Sequence, residues 1–313
     1  MAKKKAKKTT EKPKFEWSWK NKKFRAAVPL VIIAVLYLLV WTGKGEKPTD
    51  PWYEAARLVD SSRKIESKQL SSRLYSEGLE KLQDLTEKHP YHARVHFLLG
   101  YAYMVGKRWD SAMSHFKTTI EIDSGNTINP VAPDAIRQYS MALVFKSNPY
   151  FQQKKYADAL EILDKGKMYA DFSPQLSTQL GMTYHNLGQV DSAEHYYTIA
   201  INSDPDFNPA RNNLSLLLKR KATGAYHSGD NAEAVELFQR IIQLNPKDSE
   251  AYEYLGLTLN RLGDIERAVQ MLEQAVNINP QNRSAISNLI SFHSQLGNNK
   301  KAANYRKMLA NLK

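Results

Sequence analysis

The chain has 313 residues, a formal net charge of +12 and no cysteine, which excludes a cysteine nucleophile and a lipid-modified amino-terminal cysteine. The charge is unevenly placed: the first 25 residues hold eleven Lys or Arg against Glu11 and Glu16, a net of +9, so the rest of the chain carries only +3. An excess confined to a leader excludes the simplest nucleic-acid reading of a basic protein, in which the folded surface itself is basic.

Residues 1–25 therefore read as a basic tail whose partner is anionic lipid headgroups, with Lys20, Lys22, Lys23 and Arg25 nearest the apolar sequence that follows. That sequence, Ala26 to Gly43, is an uncharged run of 18 residues. At about 1.5 Å per residue it predicts a helix of roughly 27 Å, close to the hydrocarbon thickness of a bilayer. Pro29 falls in its first turn, and Tyr37, Trp41, Trp17 and Trp19 flank it as interfacial aromatics. A cleaved signal peptide is the competing reading. Its apolar region is shorter and ends in small residues, whereas this run ends VWTGKGEKP. The basic leader predicts a cytoplasmic amino terminus and sends everything after residue 43 across the membrane, into the periplasm if the membrane is a bacterial inner membrane. Residues 44–50 are a short polar linker bounded by Pro48 and Pro51.

From residue 51 to 313 one pattern recurs. It is clearest in LGMTYHNLGQVDSAEHYYTIAINSDPD from Leu180 and LGLTLNRLGDIERAVQMLEQAVNINPQ from Leu255. Each copy has Leu-Gly, a large residue three on from the Gly (Tyr184, Leu259), a second Gly (Gly188, Gly263), two Ala and a closing Pro (Pro205, Pro280). The pattern resembles the tetratricopeptide repeat (TPR), a pair of antiparallel helices that stacks on its neighbours. A copy from Leu98 supplies Gly100, Tyr103, Ala112 and Phe116, with Thr119 and Ser124 in place of the family's Ala and Pro. The copy from Ala135 carries about five extra residues around KSNPYFQQ, expected to lengthen the connection between its helices. The copy from Asn208 carries seven extra residues ahead of Gly229, close to two helical turns, and should keep its packing face. A last copy from Arg283 ends in a polar helix suited to capping, and YSEGLEKLQDLTEKHP from Tyr75 reads as the second helix of a divergent first copy. The expected fold is all-α: one transmembrane helix followed by a right-handed α-solenoid of about six TPR-like helix pairs. Between the second and third copies, Ser124 to Asp134 is the longest irregular stretch and a candidate contact loop.

No catalytic, cofactor or metal site is expected. His89, His92 and His96 are the one histidine cluster, but no HExxH motif is present, and His96 stands where the repeat packs a bulky interhelical residue. Gly43, Lys44 and Gly45 lack phosphate-loop spacing, and no GxSxG occurs. Binding is the better expectation, because the first helix of each unit lines the inner surface of such a solenoid. By family register the groove positions are Arg94, Phe97, Tyr101 and Met104, an apolar patch; then a polar set including Met182; then a set including Tyr254 and Arg261. Chaperone-binding members of the family carry a clamp of Lys, Asn and Arg for terminal carboxylates. Asn213 matches one such position, but Thr178, Met182, Glu250 and Tyr254 stand at its neighbours, so that use is not expected.

The chain thus reads as a non-enzymatic, membrane-anchored TPR scaffold or adaptor binding protein partners in an envelope complex for translocation, secretion or assembly. In layout it is similar to ancillary TPR subunits of bacterial envelope complexes. An organelle import receptor with a cytosolic repeat domain, and a regulatory accessory subunit of a membrane enzyme, are the alternatives.

Overall fold

The computed structural model describes residues 51–126 and 130–312. The leader and the apolar run 26–43 lie outside the described residues; among those described, no helix is long and apolar enough to cross a membrane. No strand occurs among them either. Among the described residues fourteen α-helices follow one another: α1 (Pro51–Lys64), α2 (Lys68–Lys88), α3 (Ala93–Val105), α4 (Trp109–Asp123), α5 (Ala132–Gln152), α6 (Tyr156–Asp164), α7 (Pro174–Asn186), α8 (Val190–Ser203), α9 (Asn208–Ser228), α10 (Asn231–Leu244), α11 (Ser249–Arg261), α12 (Ile265–Ile278), α13 (Arg283–Gln295) and α14 (Asn299–Ala310), with a 3-10 helix Lys167–Phe172 between α6 and α7. From α2 onward each helix packs on the next, and α3, α5, α7, α9 and α11 also touch in series. That contact pattern is an α-solenoid of helix pairs.

Close approach within a pair is set by missing side chains. A Cβ on Gly181 would stand 2.6 Å from the Tyr197 ring, one on Gly100 2.8 Å from Phe116, and one on Gly256 2.9 Å from the carbonyl oxygen of Ala268. Facing residues then fill the space: Phe116, Leu163, Ala193, Phe238 and Leu272 are fully buried. The helix α12 shows how the sequence specifies such an element. Ala268, Val269, Leu272, Ala275 and Val276 are its buried residues, an i, i+1, i+4, i+7, i+8 stripe facing its partners. Asp264 caps its start by accepting from the Arg267 amide, and Asn279 with Pro280 ends it.

Three details differ from expectation. The helices form seven pairs among the described residues rather than about six, and the divergent first copy is complete, with the segment from Pro51 as its first helix, as the sequence indicates, and Val59 meeting Gly78. The extra residues around KSNPYFQQ do not lengthen a connection. They prolong α5 to 21 residues, with Pro149 inside its last turn, where the missing amide removes the helical hydrogen bond to the Phe145 carbonyl without ending the helix. The helix α9 also has 21 residues, as its two-turn excess predicts, against 13 for α3, α7, α11 and α13. The Ser124 to Asp134 stretch is partly helical, since α5 begins at Ala132. Its start is held by Asp123, whose carboxylate accepts from the Ala132 amide at 2.7 Å, from the Val131 amide, and from Asn126 at 2.8 Å. Thr119, in the place of the family's Ala, is fully buried and returns its hydroxyl to the His115 carbonyl at 2.9 Å.

Candidate partner-binding surface

The sequence-predicted groove positions fall on the first helix of each pair. Arg94, Tyr101 and Met104 are half-buried on α3, Met182 is half-buried on α7, and on α11 Tyr254 is half-buried and Arg261 exposed. Phe97 is a correction: it is 3 % exposed, with its ring 5.8 Å from that of Phe116 on α4. Gly100 lets α4 approach so closely that Phe97 is drawn into the pair's interior, leaving Arg94, Tyr101 and Met104 as the accessible stripe. Tyr101 is oriented from α1, where the Arg63 guanidinium donates to its hydroxyl at 2.7 Å.

The structure brings Tyr254 and Arg261 together through a residue that the sequence reading passed over. Tyr226, in the added turns of α9, lies edge-on to Tyr254 at 5.3 Å, and the Arg261 guanidinium sits 3.6 Å over its ring while donating to its carbonyl at 2.6 Å. Tyr254 also stacks on Phe238 at 5.5 Å. The one signal available in the sequence was that Tyr226 falls within the seven-residue excess ahead of Gly229.

Electrostatics tie successive units across this region. Lys219 of α9 binds Asp248 and Glu250, both at 2.9 Å, so Glu250, at a position where the carboxylate clamp has a cation, is itself paired with one. Burial opposes the charge on Lys219, but the two carboxylates outweigh it and raise its pKa. Glu194 of α8 accepts from Arg240 at 2.6 Å and Lys221 at 3.1 Å. Burial alone would raise the Glu194 pKa, yet these two cations hold it below the ordinary carboxylate range.

Of the histidine cluster, His96 is a packing residue. Its Nε2 lies 2.9 Å from the Pro90 carbonyl and its Nδ1 3.1 Å from Nδ1 of His115. A carbonyl only accepts, so Nε2 of His96 carries the proton, its Nδ1 accepts, and His115 donates from Nδ1. Burial first, then the neighbouring His96, push the His115 pKa down to about 4. No group of three or more His, Asp or Glu suited to a metal converges among the described residues.

Family models described as tetratricopeptide repeat match residues 69–127, 174–207 and 225–291. The chain carries TPR repeats. Among curated proteins it is 32% identical over 100 residues to the human Protein O-mannosyl-transferase TMTC2, covering 31% of this chain and 11% of that protein. It is 23% identical over 176 residues to the Protein STIP1 homolog of Dictyostelium discoideum, covering 48% and 29%. The chain thus spans less than a third of the length of these relatives. Solved structures similar to it include MamA 41-end from Desulfovibrio magneticus RS-1, at 18% identity and TM-score 0.37 over 55% of this chain and 94% of that one. Another is YrrB, a TPR protein with an unusual peptide-binding site, at 19% identity and TM-score 0.35 over 67% and 97%.

Proposed function

We propose that the chain is a single-span membrane protein whose TPR solenoid lies outside the cytoplasm and holds protein partners in an envelope complex. The observation that carries the interaction half is the row of side chains on successive first helices, Arg94, Tyr101, Met104, Met182, Tyr254 and Arg261, which keep exposed surface while their neighbours are buried. Aromatic and Arg side chains so placed are the residue types that dominate binding energy at protein interfaces. The membrane half is supported by the uncharged run 26–43 and the eleven basic residues before it.

Two experiments test the halves separately. Alkaline phosphatase fused after Lys313 is expected to be active, and an inactive fusion alongside a fluorescent cytoplasmic reporter at the same site would reverse the orientation and favour the import-receptor reading. For the interaction, Tyr101→Ala with Met104→Ala in the full-length protein should lower recovery of crosslinked partners by about tenfold at unchanged melting temperature. Undiminished recovery from that folded variant removes this surface from the binding site.

A further inference from the structure

Six of the seven turns that join the two helices of a pair contain one residue in the left-handed region: Lys107, Lys154, Gly188, Gly229, Gly263 and Gly297. Four are glycine, the residue that pays nothing there, and two are lysine at φ 57° and 60°. The next residue repeats the division, being Arg108 and Lys155 after the lysines but Gln189, Asp230, Asp264 and Asn298 after the glycines. Asp230 and Asp264 cap the following helix with a side-chain hydrogen bond, whereas Gln189, Asn298, Arg108 and Lys155 make none. The turns of the second and third pairs have therefore given up a relaxed backbone, and hold four cations. Strain kept in some copies of a repeat and absent from others points to a use.

The surroundings define that use. Lys107, Lys154 and Lys155 are exposed, and their side chains have no hydrogen-bonding or ion-pair partner among the described residues. The nearby carboxylates are Asp110, which is bound to Lys146, and Asp158 in the first turn of α6. Between the two turns stand Phe145 and Tyr150, 40% and 37% exposed, with Phe145 resting on Trp109 at 5.4 Å. Both turns lie on the edge where first helices give way to second helices. The eight added residues of α5 carry the second turn about 12 Å beyond where a 13-residue helix would end. A protruding tip with unpaired lysines around exposed aromatic rings offers no groove to an extended peptide, and matches the headgroup layer of a bilayer, where anionic charge and a place for amphipathic rings occur together.

We propose that this edge, formed by Lys107, Arg108, Phe145, Tyr150, Lys154 and Lys155, is a docking surface for an anionic lipid bilayer. It rests on the membrane reading above, since an anchored chain keeps a bilayer within reach. The full chain has no cysteine, so Gln153→Cys, bearing an environment-sensitive fluorophore, reports on this tip, and Gln281→Cys, in a turn on the opposite edge, serves as control. In vesicles of phosphatidylcholine with phosphatidylglycerol and spin-labelled lipid, the probe at 153 should be quenched about tenfold more than the probe at 281, and the difference should vanish in phosphatidylcholine alone or at high salt. Lys107→Gly with Lys154→Gly should abolish most of the quenching while raising the melting temperature, an outcome that unfolding cannot imitate. Equal quenching at 153 and 281 in anionic vesicles, with the chain resistant to alkaline carbonate, overturns the docking surface and leaves the anchor standing. Carbonate extraction of a chain that still shows the quenching removes the anchor and keeps the surface. Binding of a polyuridine RNA that needs the same lysines, without quenching in vesicles, also overturns the proposal.

Discussion

At single positions, two opposed effects decide what a substitution does. Ala for Gly inside a helix normally gains up to about 1 kcal/mol. At Gly256 the added Cβ would press on the Ala268 carbonyl and Leu272, neither of which can withdraw, and overpacking of this kind costs about 1 to 3 kcal/mol. Gly256→Ala should therefore lower the urea midpoint. Lys107→Gly and Lys154→Gly should each raise it, through a stability gain of about 1 kcal/mol, because a left-handed residue without a Cβ is unstrained. The His96–His115 pair adds a pH dependence. Unfolded His115 takes its proton near its ordinary 6.5 and the folded ring only near 4, so between those values the folded state binds fewer protons. The stability it contributes is whole above pH 6.5 and is lost as the pH falls toward 4. With its half-buried ring allowed for, about 1 to 2 kcal/mol should disappear. Denaturation at pH 7 and pH 4.5 measures it, and His115→Phe should flatten that slope; an unaltered slope assigns it to other groups.

Among the elements, α5 depends on a partner outside itself. Its first turn lacks a side-chain cap of its own and is served instead by the carboxylate of Asp123, 6% exposed at the end of α4. Asp123→Ala removes the acceptor of two amides at once and should cost about 2 kcal/mol, read as a lower melting temperature. A loss below half of that would mean that water replaces the carboxylate. At the other end of the solenoid, α14 buries only Ala302. Its outer face is polar, as a terminal unit requires, and its hold on α13 is correspondingly slight.

For the molecule as a whole, contacts between successive helices make stability a sum of neighbour terms, so opening should proceed from an end inward. Native-state hydrogen exchange should show α14 exchanging first and α7 to α12 last, since α7, α8, α11 and α12 supply close pairs on both sides of the α9–α10 unit. Uniform protection along the fourteen described helices would instead show one cooperative block. The ion pairs Lys219–Asp248, Lys219–Glu250 and Arg240–Glu194 join units within that central stretch, and their partial burial makes them less open to screening by salt than exposed pairs.

The repeat was legible in the letters because its physics is local: Gly181 and Gly256 mark where two helices touch, and Pro205 and Pro280 mark where the second one stops, all within some 25 residues of one another. The same locality made the surplus of α9 readable, since two turns return a side chain to its face. Other features depended on residues brought together from different elements. Phe97 has the spacing of a surface stripe, and only the approach of Phe116 past Gly100 draws it inside. The extra residues of α5 look like loop in sequence because they exceed the repeat, yet the helix continues through them and past Pro149. Tyr226 and Arg261 are 35 residues apart and meet because two first helices lie side by side. Lys107 and Lys154 are ordinary surface lysines in sequence, and become unusual only when their backbone angles are set beside those of four glycines in sister turns.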